Sequence, residues 1–232
     1  MAIGFIAAFA FFCRRTRGLS LGLLKKIQIL IVSAIGMLVG SRIVFVLTIL
    51  PSITSEFSFG RLLAAVVNGG FVFYGGLLGT LLALYLYGKI HRLGLDELFS
   101  AITPCFPLFH AFGRIGCFMS GCCYGIPCDF GFAMAADPSV IRFPVQLAES
   151  LCCVIIFFTL LIIEKRFTKI KLLYVYLISY AVVRFSLEFL RGDTVRGIWG
   201  CFSTSQWISL CILLVCAVRI IVSKHRSIYH TA

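Results

Sequence analysis

The chain is poor in charge. Of 232 residues, 13% are charged and only 9 are Asp or Glu, while 60% are hydrophobic. A soluble domain of ordinary composition carries about 25% charged and about 45–50% apolar residues. A water-exposed globular surface is therefore excluded. The mean hydropathy of +1.04 points to an integral membrane protein. The sequence also lacks the polar–apolar alternation of a membrane β-barrel, so helices are the spanning element. It has no low-complexity tract and no internal repeat. The net charge of +12 does not signal nucleic-acid binding, because the basic residues fall between apolar runs and form no continuous patch. Residues 1–12 are apolar without a basic start, which argues against a cleavable signal peptide.

What is present is a succession of apolar runs. A membrane helix needs about 20 such residues. Candidate spans lie at residues 27–50, 60–88, 98–114, 145–163, 172–191 and 204–222. Residues 1–12 read as the end of a further span, which gives seven. Basic clusters fall at Arg14, Arg15, Arg17, Lys25 and Lys26; at Lys89 and Arg92; at Lys165, Arg166, Lys169 and Lys171; and at Arg219, Lys224 and Arg226. All occupy one side of a seven-span chain. The positive-inside rule then predicts an outer N-terminus and a cytoplasmic C-terminus. The expected architecture is an all-α integral membrane protein with seven transmembrane helices. It forms one domain over 1–232, with a short outer-face segment at about 115–143.

Glycine spacing predicts close helix contacts. Gly36 and Gly40, Gly75 and Gly79, and Gly121 and Gly125 each stand four apart. The stretch NGGFVFYGG, residues 68–76, is either a kinked or re-entrant piece or a site of close packing.

Arginines inside apolar runs carry the chemical signal. An arginine near the centre of a membrane helix costs about 2.5–3.5 kcal/mol on insertion scales, so it marks a site with a partner. Arg184, Glu188 and Arg191 are spaced i, i+4, i+7 on one helix face. Arg184 lies seven residues from the outer end of its span, roughly 10 Å deep at 1.5 Å per residue. Arg42 has similar depth. Arg114 closes the 98–114 span, and Arg142 and Glu149 flank the start of the next one. Four arginines, Arg42, Arg114, Arg142 and Arg184, and two carboxylates, Glu149 and Glu188, thus approach the outer leaflet. An internal ion-pair network is one reading. An excess of guanidinium at headgroup depth is the other, and it predicts a phosphate site.

These residues lie in segments that resemble the prolipoprotein diacylglyceryl transferase family. HAFGRIGCFMSGCCYG, residues 110–125, is similar to its signature Gly-Arg-x-Gly-Asn-Phe-apolar-Asn-x-Glu-x-x-Gly. Gly113, Arg114, Gly116, Phe118, Met119 and Gly125 match it. Cys117, Ser120 and Cys122 stand where the pattern has Asn, Asn and Glu. GSRIVFVL (40–47), GGFVFYGGLLG (69–79), RFPVQLAE (142–149) and RFSLEFLR (184–191) resemble further family segments in the same order. The resemblance implies transfer of a diacylglyceryl group from phosphatidylglycerol to the lipobox cysteine of a prolipoprotein. The location implied is the outer leaflet of the bacterial inner membrane, with membrane lipid and signal peptide as partners and without metal or cofactor. It implies Arg114 on the lipid headgroup and Arg184 on the phosphate and leaving group, with Glu188 orienting Arg184. Gln146, Glu149 and Arg142 would shape the outer mouth, and Arg42 and Arg191 would take part in substrate binding. Gly75 and Gly76 would let the lipid glycerol approach the backbone, and Gly113 would take part in substrate binding. Tyr74 stands where the family has its proposed histidine base. An unperturbed tyrosine has a pKa of about 10, so Tyr74 is expected as a donor or positioning group, or as a packed aromatic. His110, four residues before Arg114, is a reserve base or a core residue.

Two other readings stay open: a non-catalytic phospholipid-binding relative, and a cysteine-based metal or thiol-redox protein. Cys117, Cys122, Cys123 and Cys128 have the spacing C-x4-C-C-x4-C. They are expected to be small substitutes, one disulfide, or a zinc site without the usual C-x2-C knuckles.

Overall fold

Apolar runs bounded by basic residues fold as helices because a bilayer leaves backbone amides no other partners. A computed structural model describes residues 2–18, 21–53, 60, 72–134, 137–167, 170–193 and 198–229. The helices are α1 (Ala2–Arg15), α2 (Leu23–Ile53), α3 (Phe73–Ile90), α4 (Leu95–Ile102), α5 (Cys105–Met119), α6 (Val145–Arg166), α7 (Leu172–Leu187) and α8 (Thr204–Tyr229). Five are long and apolar enough to cross a membrane: α2, α3, α6, α7 with its extension to Leu190, and α8. Ile35, Leu47, Ile155, Phe158, Leu214 and Ile221 are among the large apolar side chains left exposed on them, as lipid contact requires. This is a multi-pass helical membrane protein.

The expected 98–114 span is not one helix. Pro104 has no N–H and crowds the preceding turn, so α4 ends at Ile102 and α5 begins at Cys105. The Thr103 hydroxyl donates to the Phe99 carbonyl and closes the broken turn. The expected 60–88 span is seen as a helix from Phe73 onward. Residues 68–71 of the glycine-rich stretch lie outside the described residues.

The chain divides into two compact units, residues 13–98 and residues 1–12 with 99–232. In the first, α2 and α3 pack antiparallel through the glycines. A Cβ on Gly75 would fall 2.5 Å from the Gly40 carbonyl oxygen, and one on Gly36 would fall 2.6 Å from that of Gly79. Only hydrogen at these positions permits so close an approach. The Ser41 hydroxyl accepts from the Val72 amide at 2.9 Å, and the Tyr87 hydroxyl donates to Gln28 at 2.8 Å. Tyr74 is buried, and its ring lies 6.3 Å from that of Phe73.

In the second unit α5 packs on α6, and α7 packs on α6 and α8. The α5–α6 connection carries an antiparallel hairpin, β1 (Pro127–Met134) and β2 (Asp137–Arg142), within the predicted outer segment. A second pair, β3 (Ile198–Trp199) and β4 (Phe202–Ser203), precedes α8.

Candidate active site

The end of α5, the start of α6 and the end of α7 meet at a buried polar cluster. Arg114 and Glu149 are 7% and 1% exposed, Arg184 4% and Glu188 3%. Four ionisable side chains this deep are stable only as mutual partners. Arg114 Nε lies 3.0 Å from Glu149 Oε2. Arg184 Nη1 lies 3.7 Å from the same oxygen, and Arg184 Nη2 lies 2.6 Å from Glu188 Oε2. The second Glu149 oxygen accepts from the Tyr180 hydroxyl at 2.9 Å. Ser205, on the first turn of α8, sits 3.2 Å from Arg184 Nη2.

His110 completes the cluster. Its Nε2 accepts from Arg114 Nε at 3.2 Å and lies 3.5 Å from Glu149 Oε1. Its Nδ1 is 3.5 Å from the Cys153 thiol. This pattern fits the neutral tautomer with the proton on Nδ1. The Nε2 lone pair is then engaged in fixing Arg114.

Two polar atoms stand out. Arg184 Nη1 and Gln146 Oε1 are buried, and neither has a hydrogen-bond partner among the described residues. Arg184 Nη1 faces Glu149 as an ion pair yet keeps its hydrogen-bond donors uncommitted, and Gln146 Oε1 keeps its acceptor uncommitted. An anionic oxygen suits the first and a hydroxyl the second. The other end of Gln146 is committed, since its amide donates to the Cys122 carbonyl oxygen at 2.7 Å.

The turn after α5 is tied down by backbone contacts. Gly125 bridges to Arg191, the Ile126 amide donates to the Leu190 carbonyl, and the Gly192 amide donates to that of Tyr124. A Cβ on Gly125 would meet the Leu190 carbonyl oxygen at 2.9 Å, and one on Gly192 would meet the Gly125 oxygen at 2.5 Å. The final glycine of the signature-like segment is thus required by close strand approach.

The other predicted residues separate. Arg191 is not on the Arg184–Glu188 face. α7 ends at Leu187, residues Glu188–Leu190 form a 3-10 turn, and Arg191 is extended. Its guanidinium pairs with Asp193 through Nε at 2.9 Å. Arg142 pairs with the exposed Asp137 at 3.2 Å and lies over the Tyr124 ring at 4.6 Å. Three of the four expected arginines lie in this unit, and each has an acidic partner. Arg114 and Arg184 face Glu149 and Glu188, while Arg142 and Arg191 have aspartates of their own. Gly113 is buried in α5. Arg42, Tyr74, Gly75 and Gly76 belong to the 13–98 unit. Sequence reading left out Tyr180, Ser205 and Asp193. The first had a visible signal, since Tyr180, Arg184 and Glu188 repeat at four-residue spacing.

Beside the cluster, the Cys117, Cys122 and Cys123 thiols lie together. Cys128 stands apart, with its thiol donating to the Phe130 carbonyl. All described cysteines are free thiols. The Cys123 thiol is lowered to about 5, first by the hydrogen bond from Cys117 and then by the positive charges of Arg191 and Arg114.

A bundle of membrane-spanning helices enclosing two arginines on one buried carboxylate defines a multi-pass membrane protein with a polar site suited to an anionic ligand. The chain belongs to the prolipoprotein diacylglyceryl transferase family, whose model matches residues 1–222. It is 30% identical over 222 residues to a phosphatidylglycerol--prolipoprotein diacylglyceryl transferase of Clostridium tetani, covering 93% of this chain and 87% of that protein. A second such transferase, from Clostridium perfringens, is 31% identical over 92% of this chain and 85% of its own length. The one from Geobacter sulfurreducens is 30% identical over 97% and 89%.

Proposed function

We propose that this chain transfers a diacylglyceryl group from phosphatidylglycerol to the lipobox cysteine thiol of a prolipoprotein, the first step of lipoprotein maturation. The observation that carries the reading is the buried Arg114–Glu149–Arg184 bridge, whose Arg184 Nη1 makes no hydrogen bond, in a chain of this family. The peptide sulfur attacks the glyceryl carbon that bears the phosphate ester. A C–S bond forms and the C–O bond breaks. The electron pair leaves on the phosphate oxygen, and the thiol proton ends on the released glycerol phosphate. No metal or cofactor takes part.

Charge grows on the leaving phosphate, so fixed guanidinium groups lower the barrier. Arg114 holds the headgroup phosphate, and Arg184 stabilises the leaving group through Nη1. Glu188 orients Arg184, and Glu149 holds both arginines in register. Gln146 Oε1 accepts a headgroup hydroxyl. His110 acts as a positioning residue for Arg114. From the family resemblance, Tyr74 acts as a donor or positioning group, and Gly75, Gly76, Gly113, Arg42, Arg142 and Arg191 serve lipid and peptide entry. The reading includes seven spans in one domain with the N-terminus outside, in a bacterial inner membrane, and a site open to the outer leaflet.

Release of glycerol phosphate tests it. Purified protein with phosphatidylglycerol and a lipobox peptide should release glycerol phosphate, and omission of the peptide should abolish release. A folded protein that binds phosphatidylglycerol and releases nothing is the non-catalytic lipid-binding relative instead.

A further inference from the structure

Three cysteines beside the arginine cluster have no part in the proposed transfer. Cys117 is on the last turn of α5, and Cys122 and Cys123 follow in the turn. Their Sγ atoms all lie within 4.8 Å of one another. None is in a disulfide.

The backbone gathers these thiols. Gly121 and Cys123 are both left-handed, with φ of 67° and 59°. That conformation is uncommon for a residue with a side chain and persists only where the surroundings hold it. Here the Cys122 amide donates to the Cys117 carbonyl at 3.1 Å, and Gln146 grips the Cys122 carbonyl. The chain therefore doubles back, and the two later thiols come over the first. Cys117 and Cys123 are half-buried and Cys122 is exposed, so the group opens to one side.

We propose that Cys117, Cys122 and Cys123 form a binding site for a thiophilic d10 cation, Zn(II) in the first instance, with a fourth position open on the exposed side. Zinc–thiolate bonds of about 2.3 Å in tetrahedral geometry place sulfurs about 3.8 Å apart. Side-chain rotation of under about 1 Å per sulfur closes the gap, with no backbone movement. Three thiolates on Zn(II) leave one net negative charge, and the charges of Arg191 and Arg114 favour it at this spot, offset in part by Asp193. Soft sulfur donors select Zn(II) or Cu(I) over Mg(II) or Ca(II). The ion would staple the turn that carries the Gln146 contact. It sits beside the transfer chemistry and takes no step in it.

The test is a metal titration of the full-length, reduced, metal-stripped protein in detergent. Co(II) is the optical probe, and Zn(II) is the competitor. The expected result is one equivalent of Co(II) with sulfur-to-cobalt charge-transfer absorption, displaced by one equivalent of Zn(II). Zn(II) should also shield Cys117, Cys122 and Cys123 from alkylation, as located by peptide mass spectrometry. Cys122→Ser changes an exposed side chain and should fold normally. It should weaken Zn(II) binding by more than the roughly 10–100-fold lost with an outer-shell partner. Absence of charge transfer and of thiol shielding in a protein of intact helical content would overturn the site. So would equal binding by the triple Ser variant. Neither result depends on transferase activity.

Discussion

Arg114 Nε and Glu149 Oε2 lie 3.0 Å apart, with both side chains almost wholly withdrawn from solvent. Glu149 also faces Arg184 and takes the Tyr180 hydroxyl, so one carboxylate organises two guanidinium groups from different helices. Removing one member of a buried ion pair leaves its partner uncompensated, at about 3–5 kcal/mol. Glu149→Gln keeps the shape and removes the charge. It should destabilise the protein by that order, read as a lowered midpoint in thermal unfolding in detergent. A midpoint unchanged from the parent would show that the carboxylate is not the anchor.

The proposed transfer depends on where the guanidinium donors point. Lysine keeps the positive charge but loses the planar fork. Arg184→Lys should therefore lower the transfer rate by about 10²-fold or more, the scale for losing a preorganised donor. Arg114→Lys should do likewise. Single-turnover rates with bound phosphatidylglycerol separate this from loss of lipid binding. Parent-like rates in both would remove the arginines from the chemistry.

Tyr74 stands where the family has its proposed histidine base, yet its hydroxyl is a weak base at neutral pH. The arginines supply the main electrostatic stabilisation in this account. Tyr74→Phe should retain transfer within about 10-fold of the parent, the loss of a single hydrogen bond of about 1 kcal/mol. Arg114→Ala should not. Complete inactivation of a folded Tyr74→Phe protein would make the hydroxyl an essential group.

The backbone crossing at Gly125 has no room for a side chain. A methyl there meets the Leu190 carbonyl oxygen at 2.9 Å and the Phe143 carbonyl carbon at 3.1 Å. Gly125→Ala should cost about 1–3 kcal/mol through overpacking. It should also raise hydrogen exchange at the Ile126 and Gly192 amides, which donate across the crossing.

Cys123 is lowered to about 5, so its thiolate is populated from pH 5 upward. An ordinary thiol of pKa about 8.5 ionises more than three pH units later. Alkylation of Cys123 in the metal-free protein should rise through pH 5 and level off above it, because the thiolate is the nucleophile. Cys117→Ala removes the side-chain donor that is the largest cause of the shift, and should move the inflection upward. An inflection near 8.5 in the parent would contradict the local geometry.

Much of the site was legible because membrane burial makes each charge informative. Arg184 with Glu188 follows from i, i+4 spacing, and the structure pairs them at 2.6 Å. Gly36, Gly40, Gly75 and Gly79 were legible as packing residues, because only small residues let α2 and α3 approach so closely. Arg191 leaves the face that i, i+7 spacing predicts, because beyond Leu187 the helix tightens into a 3-10 turn and the side chain pairs with Asp193. The α4–α5 break was hidden by hydropathy, which is blind to the missing N–H of Pro104. The grouping of Cys117 with Cys123 depends on two left-handed residues, and spacing alone does not reveal them.

The most direct test is mass spectrometry of a lipobox peptide after incubation with the purified protein and phosphatidylglycerol. The account predicts a diacylglyceryl mass on the peptide cysteine, and its loss in a folded Arg114→Ala protein. An unmodified peptide from a folded, lipid-binding parent protein would contradict it, as would full modification by the Arg114→Ala variant.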